Sequence, residues 1–365
     1  ETCSLAEPCK TVGKAVAVAV DGDTIQIASG VYEENLILTK RLTLLGAGAE
    51  ETILDGKGEG RVVDVQVTTG GADLAALEDL TIRNGLIAGN GAGVRLVAGN
   101  LILRRVSVTS NQASGNVAGG GVFCAEGTLT VFDSALWNNQ ARNGGGMAVD
   151  AGCALNMDGS TIYLNNAGSG AGLAVLASGV ANLTNSTVSA NLATDNYLPA
   201  TVRGGGIEVE TDGYAGLNHV TLVDNWAVDT LYDGWQLLAK GTVTLRSTIV
   251  YGTQGPNCKV TGGSIVSGGY NLSGDATCDL IGQGDLPNRD PLLGALSDNG
   301  GFTFTHALAA NSPAVDAGGP PDPGTPTHDQ RGLPHRDGDL DGVVRGDIGS
   351  YEYQTRGIWL PLVVR

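Results

Sequence analysis

A strand-sized motif returns along this chain at a nearly constant interval, and that internal period restricts the fold more than any other feature. A small residue followed by an aliphatic one stands at Thr81-Ile82, Ser107-Val108, Ala135-Leu136, Thr161-Ile162, Thr187-Val188, Thr221-Leu222 and Thr248-Ile249, with spacings of 26, 28, 26, 26, 34 and 27 residues. Asparagine follows three places after the aliphatic at Asn111, Asn139, Asn165, Asn191 and Asn225. A second motif keeps the same period at Gly91-Ala-Gly93, Gly119-Gly-Gly121, Gly144-Gly-Gly146, Gly170-Ala-Gly172 and Gly204-Gly-Gly206, each opening another apolar stretch such as Val122-Phe-Cys124. One repeat thus reads as one coil of three short strands.

Such a coil cannot bury its apolar face or satisfy its strand edges alone. Stacking does both: each strand pairs in parallel with its counterpart about 4.8 Å away, and the inward aliphatics form columns. Alternation places Leu80, Ile82, Val106, Val108, Ile162 and Val188 inside and Arg83, Thr109, Trp137, Tyr163 and Ser189 outside. The asparagine column reads as a ladder, with Asn in a left-handed corner and its amide bonded to the next coil. The 57 glycines supply turns, and the small share of aromatics, 5%, suits thin layers.

The net charge of −17 repels phosphate backbones and anionic lipid, which disfavours nucleic acid as a partner. Ala15 to Val20 is far too short for a transmembrane segment. No charged and apolar leader stands at Glu1, so an exported chain would have lost its signal peptide. Six cysteines fall into local pairs, Cys3 with Cys9, Cys258 with Cys278, and Cys124 with Cys153, which reads as an oxidised, extracytoplasmic protein. The first two pairs are disulfide candidates; Cys124 and Cys153 suit either a bond or buried thiols. Zinc is disfavoured, because there is no CxxC and only 4 His are present.

With these motifs the sequence resembles the right-handed parallel β-helix repeat proteins. Gly22-Asp-Thr-Ile25, Ser29-Gly-Val-Tyr-Glu-Glu-Asn35 and Leu42-Thr-Leu-Leu-Gly-Ala-Gly48 are similar to their usual opening. Asp290-Pro-Leu-Leu-Gly294, Asp298-Asn-Gly-Gly301, Thr305-His306, Ser312-Pro-Ala-Val-Asp316, Asp329-Gln-Arg-Gly332 and Asp347-Ile-Gly-Ser-Tyr-Glu352 resemble the choice-of-anchor Q region of secreted bacterial surface proteins. The resemblance implies an all-β, right-handed single-stranded parallel β-helix, exported and held at a cell surface, and names no substrate. It divides the chain into an N-terminal cap (1–30) with a short helix near Thr11 to Val20, coils (31–252), choice-of-anchor Q-like coils and cap (253–353) and an apolar terminal strand (354–365).

Four groups of residues are candidate sites. Asp337, Asp339, Asp341, the Val343 carbonyl and Asp347 place oxygen ligands at alternate positions around Gly342, which suits structural Ca²⁺. The last ligand falls one place earlier than in an EF-hand. Trp137 and Tyr163, on adjacent coils, form one aromatic candidate for ligand binding; Tyr197, Trp226, Tyr232 and Trp235, around the single long repeat, form another. Ile358, Trp359, Leu360, Leu362 and Val363 make an apolar strand able to join a second copy of the chain. Catalysis is less favoured, since no Asp-Asp pair occurs and Asp133, Asp150, Asp158, Glu208, Glu210 and Asp224 do not share one position; His219 reads as a solvated strand residue. A non-catalytic surface or adhesive β-helix, with self-assembly as one form of it, is the first reading. A secreted protein that binds or degrades polysaccharide is the alternative.

Overall fold

The structure, a computed structural model, describes residues 3–4, 7–67, 74–194, 203–228, 235–320, 324–337 and 342–354. Its strands pair in parallel from coil to coil, and the register follows the repeat: Val108 lies opposite Ile82 and Leu136, and Ile162 opposite Leu136 and Val188. The chain is a parallel β-solenoid of about nine turns.

The central turns visit four places. The turn that begins at Gly144 runs through Met147–Asp158, which supplies the first and second strands in one bent stretch, then Thr161–Tyr163, then the short Asn166–Ser169. The first three stacks form one continuous sheet and the fourth makes a separate ladder. The fourth is not evident in the sequence, because segments such as Leu86–Ile87 and Trp226–Ala227 are two residues long and alternate too briefly to read.

Alternation places the core as expected. Leu80, Ile82, Val106, Val108, Ile162 and Val188 are all buried in one continuous column, which Leu77, Leu103, Val131 and Leu155 extend from the second stack. Two corners set the winding. At one, the left-handed residues are Ser110, Asn138, Leu164, Ala190 and Asp224, each immediately before a ladder asparagine. The ladder asparagines are therefore not the left-handed residues; they are buried, and the residue before them makes the turn. Asn165 Oδ1 accepts from Asn139 N at 2.9 Å and from Asn139 Nδ2 at 3.0 Å, and its own Nδ2 donates to Asn191 Oδ1 at 2.9 Å. The other corner, between second and third stacks, carries Asp79, Arg105, Asp133, Gly159, Asn185, His219 and Ser247, all at positive φ. The glycine triplets open the next turn: Gly144 takes φ +61°, and a Cβ at Gly145 would strike the carbonyl oxygens of Asn166 and Ala171 one coil away.

The first coil is closed by a helix over Val12–Val18 whose Val12 and Val16 are buried against it. Thr11 caps the N-terminus by accepting from Lys14 N, and the coil satisfies further groups at both helix ends. Glu34 accepts from Val12 N and Gly13 N at 2.7 Å each, and Lys40 Nζ donates to the carbonyls of Val16, Ala17 and Ala19. At the far end, Cys278 and Leu280 fold over the last core layer.

The described residues between 290 and 354 do not add coils beyond that layer. They return along the side of the solenoid and lie on the outward face of the third stack. Gln330 Nε2 donates to Thr161 Oγ1 at 2.8 Å, Thr187 Oγ1 donates to Gln330 Oε1 at 2.6 Å, and Ser350 N donates to Thr221 Oγ1 at 3.0 Å. Thr161, Thr187, Ser189 and Thr221, outward by alternation, are consequently buried.

Candidate functional site

Docking of this C-terminal lobe decides which outward residues remain reachable. Where it stops, around the coils of Trp137 and Tyr163, a shelf of three rings is left. Trp137 and Tyr163 stack with centroids 5.9 Å apart and planes at 15°, as expected from their shared register. Phe304 of the lobe adds a third ring 5.9 Å from Tyr163 and is 43% exposed. Trp137 Nε1 donates to Ser107 Oγ on the previous coil, and the Phe304 carbonyl accepts from Thr161, so the rings are held from behind. Phe304 escaped the sequence reading because it lies outside the repeat. Trp226 and Trp235 also stack, at 5.6 Å and 19°, on the fourth ladder. Tyr197 and Tyr232, expected beside them, lie outside the described residues.

A second feature lies at the corner between second and third stacks. Phe132 is opposite Asp158, and Asp158 opposite Thr184, so the residues that follow, Asp133, Gly159 and Asn185, fall in one column. Asp133 and Asp158 thereby become neighbours on adjacent coils while, as expected, they do not share one position. Burial pushes both carboxyls above their ordinary range, and for Asp133 the charge of Asp158 adds to it. Arg104 and Arg105 stand nearby, but Arg105 is held by Asp79 through two hydrogen bonds of 2.5 and 2.6 Å, and Arg104 pairs with Glu78. His219 continues the column and is buried, correcting its reading as a solvated residue. Burial, then His335 and Arg246, lowers its pKa to about 3, so the ring is neutral.

The strongest charge cluster lies on the first stack. Lys240 Nζ reaches Glu208 and Glu210 at 2.7 Å each, and Arg203 Nε lies 3.1 Å from Glu208. Burial raises Glu208 to about 7 against the pull of Lys240 and Arg203. At 1% exposure its carboxyl cannot touch a substrate, and two cations already satisfy it.

All six cysteines are bonded, in the pairs Cys3–Cys9, Cys124–Cys153 and Cys258–Cys278. The open alternative for Cys124 and Cys153 thus resolves as a disulfide inside the core, and no thiol is left for zinc. In the calcium-type loop, Asp339 and Asp341 lie outside the described residues. Asp337 Oδ2 accepts from Gly342 N at 2.9 Å. Asp347 turns inward, where its oxygens accept from Asp316 N and Tyr353 N and its neighbour Glu352 accepts from Asp347 N. Ile358, Trp359, Leu360, Leu362 and Val363 of the proposed assembly strand lie outside the described residues. Among the described residues no helix is long and apolar enough to cross a membrane.

No protein-family model matches the chain, and no curated protein matches it either. A solved structure described as the crystal structure of pectate lyase Pel9A is similar, with a TM-score of 0.54 and 13% sequence identity, over 96% of this chain and 92% of that one. At that identity the likeness is one of fold: an all-β, right-handed type of parallel β-solenoid with about 26 residues per turn.

Proposed function

We propose that this is a secreted β-helix protein that binds polysaccharide along its side, through the shelf of Trp137, Tyr163 and Phe304. The shelf carries the reading: three rings at one coil spacing, partly exposed and held from behind, form an apolar strip on which the faces of sugar rings can stack. The similar fold of a protein described as a pectate lyase supports a polysaccharide as the partner class. Three disulfides support an oxidising compartment. A net charge of −17 and arginines already paired with acids favour an uncharged polysaccharide over an acidic one.

Binding is favoured over cleavage because Glu208, Asp347 and Glu352, the carboxyls pushed furthest towards neutral pH, are sealed at 1–2% exposure. In this reading the protein attaches to extracellular polysaccharide at a surface, and calcium held by the acids around Asp337 steadies the lobe that supplies Phe304. The test is affinity electrophoresis through gels containing xyloglucan, mannan or hydroxyethylcellulose. Retardation in at least one is expected, with affinity reduced about tenfold or more in Trp137→Ala, the scale of one lost ring-stacking contact. Equal mobility of wild type and Trp137→Ala in all of them would sink the reading, and release of reducing ends in the same incubations would convert it to that of a degrading enzyme.

A further inference from the structure

The column at the second corner has a gap in it. Asp133, Gly159, Asn185 and His219 stack one above another, and Gly159 brings no side chain to its level, so a slot one coil tall opens between Asp133 and Asn185 with Asp158 as its wall. The Asp133 carboxylate leans into it: Oδ1 is 2.7 Å from the place a Cβ on Gly159 would occupy. The lobe roofs the slot, with the Gln330 carbonyl oxygen 3.6 Å from the same place and Thr303 Oγ1 bonded to the Gly159 carbonyl at 2.9 Å.

Oxygens facing this slot lack partners. Asn185 is 1% exposed; its amide N–H is turned to the Asp158 carboxyl, while its Oδ1 has no donor. Asp158 Oδ1 is buried and also without a partner. Buried amides and carboxylates are otherwise satisfied in folded proteins, and two on adjacent coils around one gap indicate a missing ligand. The groups available are two carboxylates, an amide oxygen and a main-chain carbonyl. These are all hard oxygen donors, from residues that need no fixed geometry, and such sets hold Ca²⁺. Among the described residues no three His, Cys, Asp or Glu side chains converge on a metal position, so a site here depends on Asn185 and the Gln330 carbonyl as much as on the acids.

We propose that Asp133, Asp158, Asn185 and the Gln330 carbonyl bind a calcium ion between coils and lobe. The ion cancels the repulsion of two neighbouring carboxylates and ties residues 303–330 to the solenoid, which positions Phe304 on the aromatic shelf. Arg104, Arg105 and His328 are the basic side chains that also face the two acids, and each arginine already has an acid of its own. The site is separate from the loop around Asp337.

The experiment is thermal unfolding of the full chain in chelator and in a calcium titration, for wild type, Asp158→Asn, Asn185→Ala and Asp337→Asn. With the site real, calcium raises the wild-type Tm saturably and Asp337→Asn keeps a calcium-dependent rise. In Asp158→Asn that component disappears while the Tm in chelator equals or exceeds wild type, because the uncharged isostere relieves the buried repulsion. Asn185→Ala weakens apparent calcium affinity about tenfold or more. A purely structural Asp158 would instead lower the Tm equally with and without calcium. Absence of any calcium-dependent rise, or a rise undiminished in Asp158→Asn, overturns the proposal.

Discussion

The buried asparagines show how a single residue type can be repeated for reasons of packing alone. Each one supplies the acceptor for the main-chain N–H at the matching place on the previous coil, Gly85 for Asn111 and an asparagine for the others, and donates to an amide oxygen on the next, so removing one member breaks bonds on both sides. In Asn165→Ala, Asn139 N and Nδ2 lose their acceptor and the carbonyls of Leu136 and Tyr163 lose a donor. Leaving buried groups unsatisfied costs about 1–3 kcal/mol each. A loss of about 3 kcal/mol or more in urea unfolding is expected, though the side chain touches nothing outside the coils. A change below about 1 kcal/mol would show that water takes over those bonds. The left-handed residue beside each ladder position varies in type, as Ser110, Leu164 and Ala190 show, because the turn itself needs only its backbone.

Among elements, the C-terminal lobe departs most from what its motifs suggested. Asp329-Gln-Arg and Gly349-Ser-Tyr form the underside of a strap. Gln330 and Ser350 read the threonine column, His306 Nδ1 donates to the Gly294 carbonyl so that its Nε2 accepts from Ser189 Oγ, and Asp329 grips Arg331 at 2.6 Å. The strap holds two carboxyls that prefer to stay protonated: burial raises both Asp347 and Glu352, Asp316 and Asp329 raise Asp347 further, and Asp347 and Asp316 raise Glu352 further. Their folded pKa values exceed the unfolded ones, so the stability they contribute is complete below the ordinary carboxylate range and is lost as pH rises through about 7 to 8. The Tm should therefore decline from pH 5 to pH 8.5, and Glu352→Gln should flatten that decline; a Tm rising over the interval would contradict the protonated assignment. The disulfide within the coils acts differently. Cys124–Cys153 closes a loop with a separation of 29 residues, and loop-closure entropy assigns it about 3.5 kcal/mol. Paired Cys124→Ala and Cys153→Ala changes should cost about that much in denaturant unfolding, and a neutral result would show that the stacked coils already restrict the unfolded chain.

At the scale of the whole molecule, a rod made of near-identical coils has long sides, and the lobe chooses which part of one side stays open. The net charge of −17 narrows what can approach that opening. A repeat of fixed length dictates coil count, inward columns, ladder and register, because each coil touches only its neighbours and local pattern is enough. Trp137 with Tyr163 was legible for that reason. Three things were not: the slot at Gly159, where Asp133 and Asp158 meet only after the register is set; the burial of His219; and the place of Phe304. The roof of the slot, the burial of His219 and the place of Phe304 each depend on residues more than a hundred positions apart, and a docked segment with no period leaves no trace of its partner in the sequence. The periodic part of this protein was thus fixed by its own neighbours along the chain, whereas the shelf, the slot and the strap exist only because a non-repeating tail returned to one particular face, a choice made by side-chain bonds between distant residues.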